Sequence, residues 1–114
     1  MKSQIVSLSK NEDFKKILGG NRISNKYVTI FFKKLSYKNS KFLNISFVTK
    51  KKIGNAIVRN KIKRRLRNIM REALKTIKIK SKYSYLFIAK KNVFHDDYLI
   101  IKENIFKDLS RIKK

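Results

Sequence analysis

The sequence contains no cysteine, no proline and no tryptophan, and His95 is the single histidine among its 114 residues. Without cysteine, a disulfide scaffold, a zinc site built on thiolates and a cysteine nucleophile are all excluded. Acidic residues are also scarce, since 7 Asp and Glu stand against 31 Lys and Arg, for a formal net charge of +24. With so few carboxylates and one imidazole, a four-ligand metal cage is hard to build. The composition therefore argues against thiol enzymes and most metalloenzymes.

Long hydrophobic runs are missing as well. No apolar stretch reaches the roughly 20 residues that span a bilayer, and the N-terminal residues lack the apolar core of a secretory signal. We therefore expect a cytoplasmic protein without a membrane segment. Hydrophobic residues still make up 42% of the chain and aromatic residues 11%, which is enough for a buried core. This composition predicts one folded domain over residues 1–114 rather than a disordered chain.

The positive charge is concentrated in one part of the chain. From Phe14 to Arg71 there are 58 residues, of which 18 are Lys or Arg and none is Asp or Glu. Solvated helix faces usually mix both signs of charge, and so small a domain at this charge would repel itself unless a polyanion were near. The distribution indicates a nucleic-acid partner. A membrane surface is the competing interpretation, and it would require a helix with a large exposed apolar face.

Hydrophobic periodicity predicts a first helix over residues 10–18, strands over 27–35, 42–50 and 83–90, a long helix over 56–77 and a last helix over 98–112. The long helix has one apolar stripe, formed by Ile62, Leu66, Ile69, Ala73 and Ile77. The short polar connection at 36–41 favours a hairpin between the first two strands, with room for a short extra strand around 35–42. Because a strand–helix–strand unit joins parallel strands, we expect an α+β protein with helices on a small mixed sheet.

The densest run of cations surrounds a glycine. A strand leads into three consecutive lysines, and Gly54 allows the backbone to approach a partner closely. A helix start follows, where free backbone amides favour phosphate. The helix then carries Arg and Lys side chains, and guanidinium groups suit phosphate oxygens and base edges. A merely solvated basic helix is the alternative, but Asn60 and the Gly-Asn turn add nothing to solubility.

This segment resembles the signature of the bacterial ribonuclease P protein subunit, and the similarity extends over nearly the whole chain. In that family a Lys-Lys pair, a Gly-Asn-Ala turn, Arg-Asn-Arg and Lys-Arg follow one another. Here they read Lys50-Lys51 (or Lys51-Lys52), Gly54-Asn55-Ala56, Arg59-Asn60-Lys61 and Lys63-Arg64. One departure is Lys61, because the family usually has Arg there and Lys lacks the bidentate fork. The predicted RNA-binding residues are Lys50, Lys51, Lys52, Asn55, Arg59, Asn60, Lys61, Lys63, Arg64, Arg65, Arg67 and Arg71.

The resemblance implies a fold and a function. The fold is a single-domain α-β sandwich of about four strands and three helices, with a left-handed β-α-β crossover that is also found in a small-subunit ribosomal protein. The function is that of the protein subunit of ribonuclease P, an endoribonuclease that removes the 5′ leader of precursor tRNA. The protein binds the catalytic RNA subunit, one protein per RNA, and the leader. The RNA performs the hydrolysis with Mg²⁺ that it mainly binds itself, so we expect no catalytic residue and no metal ligand on the protein.

The resemblance also implies a leader-binding cleft between the first helix and the sheet. Single strands are held by basic grooves with aromatic platforms on which bases stack. The matching residues are Phe14, Leu18 and Phe31. Leu18 stands where the family has a second aromatic residue and cannot stack in the same way. Packing in the core is the alternative role for Phe14 and Phe31.

Three other functions fit parts of the sequence. A ribosomal or other structural RNA-binding protein would suit the charge and the size equally, and only the motif argues against it. A stand-alone nuclease would need a general base, a general acid or a carboxylate metal cluster. His95 with Asp96 and Asp97 is the one such combination, and it is more typical of a loop and a helix start. A double-stranded DNA-binding protein would require a helix-turn-helix spacing that is not evident.

Overall fold

The computed structural model describes residues 5–8, 11–35, 38, 42–77, 79 and 82–112. In chain order the elements are β1 (Ile5–Ser7), α1 (Asn11–Leu18), β2 (Asn21–Ser24), β3 (Val28–Lys34), β4 (Leu43–Val48), a 3-10 turn (Lys51–Ile53), α2 (Ala56–Thr76), β5 (Tyr83–Ala89), α3 (Asn92–His95) and α4 (Tyr98–Ser110). The predicted α+β class is confirmed. Within these ranges, no helix combines the length and the apolar character needed to cross a membrane.

The described strands form one mixed sheet in the order β1-β4-β5-β3-β2. β4 and β5 are parallel neighbours, with Phe47 opposite Phe87, and α2 connects them. β3 runs antiparallel to β5, with Phe31 opposite Leu86. The sheet therefore has five strands rather than about four, because the short strands β1 and β2 are added at its two edges. The hand of the crossover through α2 stays a prediction of the resemblance.

The predicted hairpin between the strands at 27–35 and 42–50 is wrong. β3 and β4 are not neighbours, because β5 lies between them and pairs with both. Tyr85 and Phe87 on one face of β5 and Leu86 on the other are all at most 3% exposed. A strand that is apolar on both faces gains most at the centre of a covered sheet. Around 35–42, Leu35 and Lys38 are not in a strand, and residues 36–37 and 39–41 lie outside the described residues.

Helices cover both faces of the sheet. The predicted stripe of α2 is confirmed, since Ile62, Leu66, Ile69 and Ala73 are fully buried and Ile77, just beyond the helix, is partly buried. They pack in the main core with residues of β3, β4, β5 and α4. A smaller cluster on the opposite face joins the α1 side to the sheet through Leu8, Ile17, Leu35 and Leu86.

The chain turns sharply after α1, where the Gly20 N–H donates to the Ile17 carbonyl oxygen at 2.9 Å. A Cβ atom at Gly20 would lie 2.7 Å from the Phe32 carbonyl oxygen and 2.8 Å from the Lys33 Cβ. Only glycine fits at such a separation from a neighbouring backbone. α1 therefore ends at Leu18, directly before the two glycines, and Gly20 also lets the chain enter β2 against β3.

Candidate nucleic-acid interface

The loop between β4 and α2 presents three exposed lysines, Lys50, Lys51 and Lys52. The loop is closed by a hydrogen bond of 3.0 Å from the Ile53 N–H to the Lys50 carbonyl oxygen. Because this single turn is short and hydrogen-bonded, the three lysine residues are held next to the start of α2. The structure thus brings the lysine run and the basic helix together, as the sequence predicts.

Gly54 and Asn55 determine where α2 begins. Gly54 has an extended backbone that any residue could adopt. Glycine is needed there because a Cβ atom would lie 2.9 Å from the Val58 Cβ. The close approach is therefore to this chain's own helix. Asn55 is the N-cap, and its Oδ1 accepts the Val58 N–H at 3.0 Å. The Arg59 Nε donates to the Gly54 carbonyl oxygen at 3.2 Å and ties the loop to the helix.

We call the solvent-facing side of α2 the crest. At 100° per residue it lies opposite the buried stripe. All of its members are exposed, and they are Asn60, Arg64, Asn68, Arg71 and Lys75. The Asn68 Oδ1 accepts a hydrogen bond from the Arg71 Nη1 at 3.3 Å. The crest contains no carboxylate, so its guanidinium groups are available to an anionic partner.

One flank of α2 faces α3. The Lys61 Nζ lies 4.8 Å from the centroid of the Phe94 ring, within the range of a cation–π contact. The Arg65 Nη1 donates to two backbone carbonyl oxygens, at 2.8 Å to Val93 and 2.9 Å to Asp96. Arg65 thus holds α3 against α2, a role that the sequence did not reveal. Its contact with RNA stays a prediction.

The other flank carries Arg59, Lys63 and Arg67, each partly buried. The partial burial of Arg59 and Lys63 agrees with their position toward the apolar side on the helical wheel. The guanidinium carbon of Arg67 lies 5.8 Å from the Phe47 ring centroid. Aromatic rings therefore lie beside one cation on each flank of α2.

No carboxylate lies within ion-pair distance of any Lys or Arg from Lys50 to Arg71, a stretch that the structure describes in full, together with all seven acidic residues. The ion pairs lie elsewhere, at Lys38–Asp13 (2.9 Å), Lys102–Glu72 (3.0 Å), Lys26–Asp96 (3.4 Å) and Arg111–Asp108 (3.4 Å). Because other cations engage these carboxylates, the positive field of the loop and the crest is not neutralised locally. A basic surface of this kind is typical of proteins that bind nucleic acid.

Glu72 is the acidic residue nearest to the basic segment in the sequence, and it is turned away from the crest. Its carboxylate accepts the Tyr98 hydroxyl at 2.7 Å and the Lys102 Nζ at 3.0 Å. The hydrogen bond from Tyr98, followed by that from Lys102, lowers the pKa of Glu72. Burial, with a contribution from Glu72, raises the pKa of Tyr98 to about 12. The carboxylate is thus anchored to α4 and leaves the crest cationic.

The three predicted leader-binding residues lie on the α1 side of the sheet. Phe14 and Phe31 are partly buried and pack at the margin of the small cluster, whereas Leu18 is 46% exposed. Phe31 lies in the same cross-strand row as Leu86, so α1 and the sheet bring the two aromatic residues to one face. Both the packing role and the stacking role remain compatible with partial burial.

A cavity of about 410 Å³ opens near this face, at the point where the parallel strands β4 and β5 end side by side. Its apolar part includes Ile53, Ile88 and Ala89, and lysines surround it; the lining residues are Thr29, Lys50, Lys52, Ile53, Ile88, Ala89, Lys90 and Lys91. Lys90 and Lys91 were not predicted, although a Lys-Lys pair directly after a strand was a usable signal. The Lys90 Nζ donates to the Ser24 Oγ and the Asn25 carbonyl oxygen, which leaves Lys91 as the more available cation.

His95 and its acidic neighbours form a junction between elements. His95 is exposed at the end of α3, and Asp97 precedes α4. The Asp96 carboxylate accepts the Tyr27 hydroxyl at 2.8 Å and pairs with Lys26 at 3.4 Å. The hydrogen bond from Tyr27 is the main cause that lowers the pKa of Asp96. Across the described ranges, no three His, Asp or Glu side chains come together in a way that could hold a metal ion.

A sequence profile of the Ribonuclease P family matches residues 3–113. The chain belongs to the ribonuclease P protein family. The ribonuclease P protein component of Fusobacterium nucleatum is 36% identical over 109 residues, which cover 95% of this chain and 94% of that protein. The corresponding protein of Mycoplasma mycoides is 30% identical over 115 residues, which cover 99% of this chain and 100% of that protein.

The fold is similar to that of solved ribonuclease P proteins. The protein from Thermotoga maritima aligns with a TM-score of 0.78 at 26% identity, over 96% of this chain and 99% of that one. A Staphylococcus aureus protein aligns with a TM-score of 0.75 at 22% identity, over 95% and 97% of the two chains, and this likeness shows the fold alone. Family membership makes the chain a protein component of ribonuclease P, with a role in the processing of tRNA 5′ ends.

Proposed function

We propose that this chain binds the catalytic RNA subunit of ribonuclease P and the 5′ leader of precursor tRNA, one protein per RNA, in the cytoplasm. The observation that carries the proposal is the basic surface formed by the loop Lys50–Lys52 and the crest of α2. No carboxylate engages these cations. Phosphate is the ligand that such a surface favours, because guanidinium and ammonium groups gain most from a dense polyanion.

The division of labour in this proposal leaves the reaction to the RNA. Mg²⁺ bound mainly by the RNA would stabilise the charge that develops at the scissile phosphate. The protein's own residues would neutralise RNA phosphates and hold the substrate. This agrees with the chemistry of the side chains, since the only histidine, His95, is exposed at a junction between helices and Asp96 is engaged by Tyr27.

The leader would lie on the α1 side of the sheet. Phe14 and Phe31 offer ring surface to unpaired bases, and Leu18 adds exposed apolar surface. Stacking of a base on an aromatic side chain is worth about 1–3 kcal/mol. The adjoining cavity would continue this path, with lysines such as Lys52 and Lys91 for phosphates and an apolar floor for sugars or bases. The basic loop joins this path to the crest of α2.

The experiment that tests the proposal measures RNA binding by the whole chain as a function of salt. We expect one large structured RNA to co-purify with the chain. If about five cations contact phosphate, the logarithm of affinity should fall with the logarithm of salt at a slope near −4 to −5. Arg64→Ala and Arg71→Ala should each reduce the magnitude of this salt slope by about 0.9.

Lys107→Ala is the matched control, because Lys107 is an exposed cation on α4, outside the basic surface. This variant should bind RNA with the affinity and the slope of the parent chain. If the loss on changing Lys107 equals the loss on changing Arg64, binding depends on net charge alone and the assigned surface is wrong. The absence of any enriched RNA would contradict the function itself.

A further inference from the structure

Between Lys50 and Arg71, where the structure describes every residue, Lys61 is the one lysine whose ammonium group lies over an aromatic ring. Its Nζ lies 4.8 Å from the centroid of the Phe94 ring. Both side chains are only partly buried, so the contact lies at the surface, beside the exposed crest residues Asn60 and Arg64. Lys61 also occupies the position where the ribonuclease P protein family usually has Arg.

The turn that carries Phe94 is itself fixed to α2. Arg65, one helical turn after Lys61, donates to the carbonyl oxygens of Val93 and Asp96, which stand on either side of Phe94 in the sequence. Val93 is fully buried in the main core. The backbone is therefore fixed both before and after Phe94, and the Phe94 ring faces Lys61, which lies on α2 like Arg65.

A lysine ammonium on a free four-carbon stem must lose rotamer freedom when it binds a phosphate. A ring that already restrains the stem reduces that loss, which is the general advantage of preorganisation. The ammonium can contact the ring with one side and keep N–H groups for an anion. An Arg side chain at this position would orient its own hydrogen bonds through the planar guanidinium fork. A Lys side chain has no such fork, and here the ring restrains the orientation of its ammonium group.

We propose that Phe94 is a positioning residue that orients Lys61 toward a phosphate of the RNA partner, and that Arg65 fixes the turn that carries Phe94. The proposal rests on the proposed function, because it specifies how one cation of the RNA-binding surface is aimed. Lys63 provides the comparison: it lies on the other flank of α2, and it makes no cation–π contact in the part of the chain that the structure describes.

The test is a double-mutant cycle on affinity for the ribonuclease P RNA of the same organism, with the full chain. Lys61→Ala should weaken binding about ten-fold and reduce the salt slope by about 0.9. Phe94→Leu, which keeps apolar bulk, should weaken it about three-fold. The double variant should bind no more weakly than Lys61→Ala alone, and Phe94→Tyr, which keeps a ring, should retain the parent affinity.

Lys63→Ala combined with Phe94→Leu is the matched control, and here the two losses should multiply. If the losses of Lys61→Ala and Phe94→Leu also multiply, Phe94 acts independently of Lys61 and the proposal is wrong. The proposal is equally wrong if Phe94→Tyr binds as weakly as Phe94→Leu. Thermal unfolding of each variant shows whether a loss of affinity comes from a loss of folded protein.

A second measurement needs no RNA. The methylene protons next to the Lys61 ammonium should show an upfield ring-current shift in the NMR spectrum of the free chain, and Phe94→Tyr should keep it. Shifts typical of an exposed lysine would overturn the proposal even if Phe94→Leu did not fold. The proposed function fails separately: it is contradicted if the parent chain does not bind the ribonuclease P RNA at all.

Discussion

The Arg65 Nη1 donates a hydrogen bond of 2.8 Å to the Val93 carbonyl oxygen, and this contact joins the middle of the basic helix to α3. A second bond of 2.9 Å reaches the Asp96 carbonyl oxygen. The preceding residue, Arg64, is exposed on the crest. Two adjacent arginines of one basic motif therefore face different partners, one within the fold and the other in solvent.

The first prediction contrasts these two arginines. Arg65→Ala should lower the free energy of unfolding by about 1.5–3 kcal/mol, because hydrogen bonds of a charged donor are lost. Arg64→Ala should change it by less than about 0.5 kcal/mol, as is usual for exposed positions. Urea denaturation of both variants measures the difference. Equal effects on stability would contradict the internal role of Arg65.

The second prediction concerns the leader. Phe14→Ala should weaken binding of leader-bearing tRNA relative to mature tRNA by about 1–3 kcal/mol, the worth of one stacked base. The measurement compares both ligands in the complex assembled with the RNA subunit. Leu99→Ala is the control, because Leu99 is a large exposed apolar residue on α4. If Phe14→Ala lowers both affinities equally, Phe14 has only its packing role.

The third prediction concerns acid stability. The hydrogen bonds from Tyr98 and Lys102 lower the pKa of Glu72, so the folded state binds fewer protons there than the unfolded state does. Their contribution is present above the unfolded pKa of about 4.3 and is lost as pH falls through the lower folded pKa. Tyr98→Phe should therefore destabilise the chain near neutral pH, and the difference from the parent should shrink on acidification. A difference that is constant with pH would contradict this assignment.

The fourth prediction concerns the single histidine. His95→Ala should leave the rate of precursor-tRNA cleavage unchanged in a complex that still assembles, because His95 is exposed beside Phe94 and belongs to no cluster of metal ligands among the described residues. Single-turnover cleavage with the RNA subunit at saturating protein is the measurement. A loss of cleavage without a loss of assembly would show that the protein supplies a reactive group.

Local pattern was sufficient to predict the long helices from their periodic apolar faces, and three strands from their runs of apolar, β-branched and aromatic residues. The stripe from Ile62 to Ala73 is an example, since every member is fully buried. The pairing of strands could not be derived in the same way. The short polar segment at 36–41 predicted a hairpin. In the structure β5 lies between β3 and β4 instead, because Leu86 and Phe87, on opposite faces of β5, are both buried there. The edge strands β1 and β2 were missed because they have only three and four residues.

The sequence was sufficient to predict which segment forms the candidate site, but it did not predict the contacts that its side chains make. The run of cations without carboxylates was visible in the sequence, and the structure keeps it free of ion pairs. The inward role of Arg65 was hidden because its partners, Val93 and Asp96, are 28 and 31 residues away. The ring beside Lys61 was hidden for the same reason. Such contacts depend on how α3 packs on α2, which no local pattern encodes.

Cleavage of precursor tRNA in a reconstituted reaction tests the central claim most directly. The purified chain, the RNA subunit alone and the two together would each be incubated with precursor tRNA at low Mg²⁺. We predict cleavage at the 5′ leader junction only when both are present, since in the proposed division of labour the chain supplies a cationic binding surface and the RNA supplies the chemistry. Cleavage by the chain alone, or no stimulation of the RNA by the chain, would contradict the account.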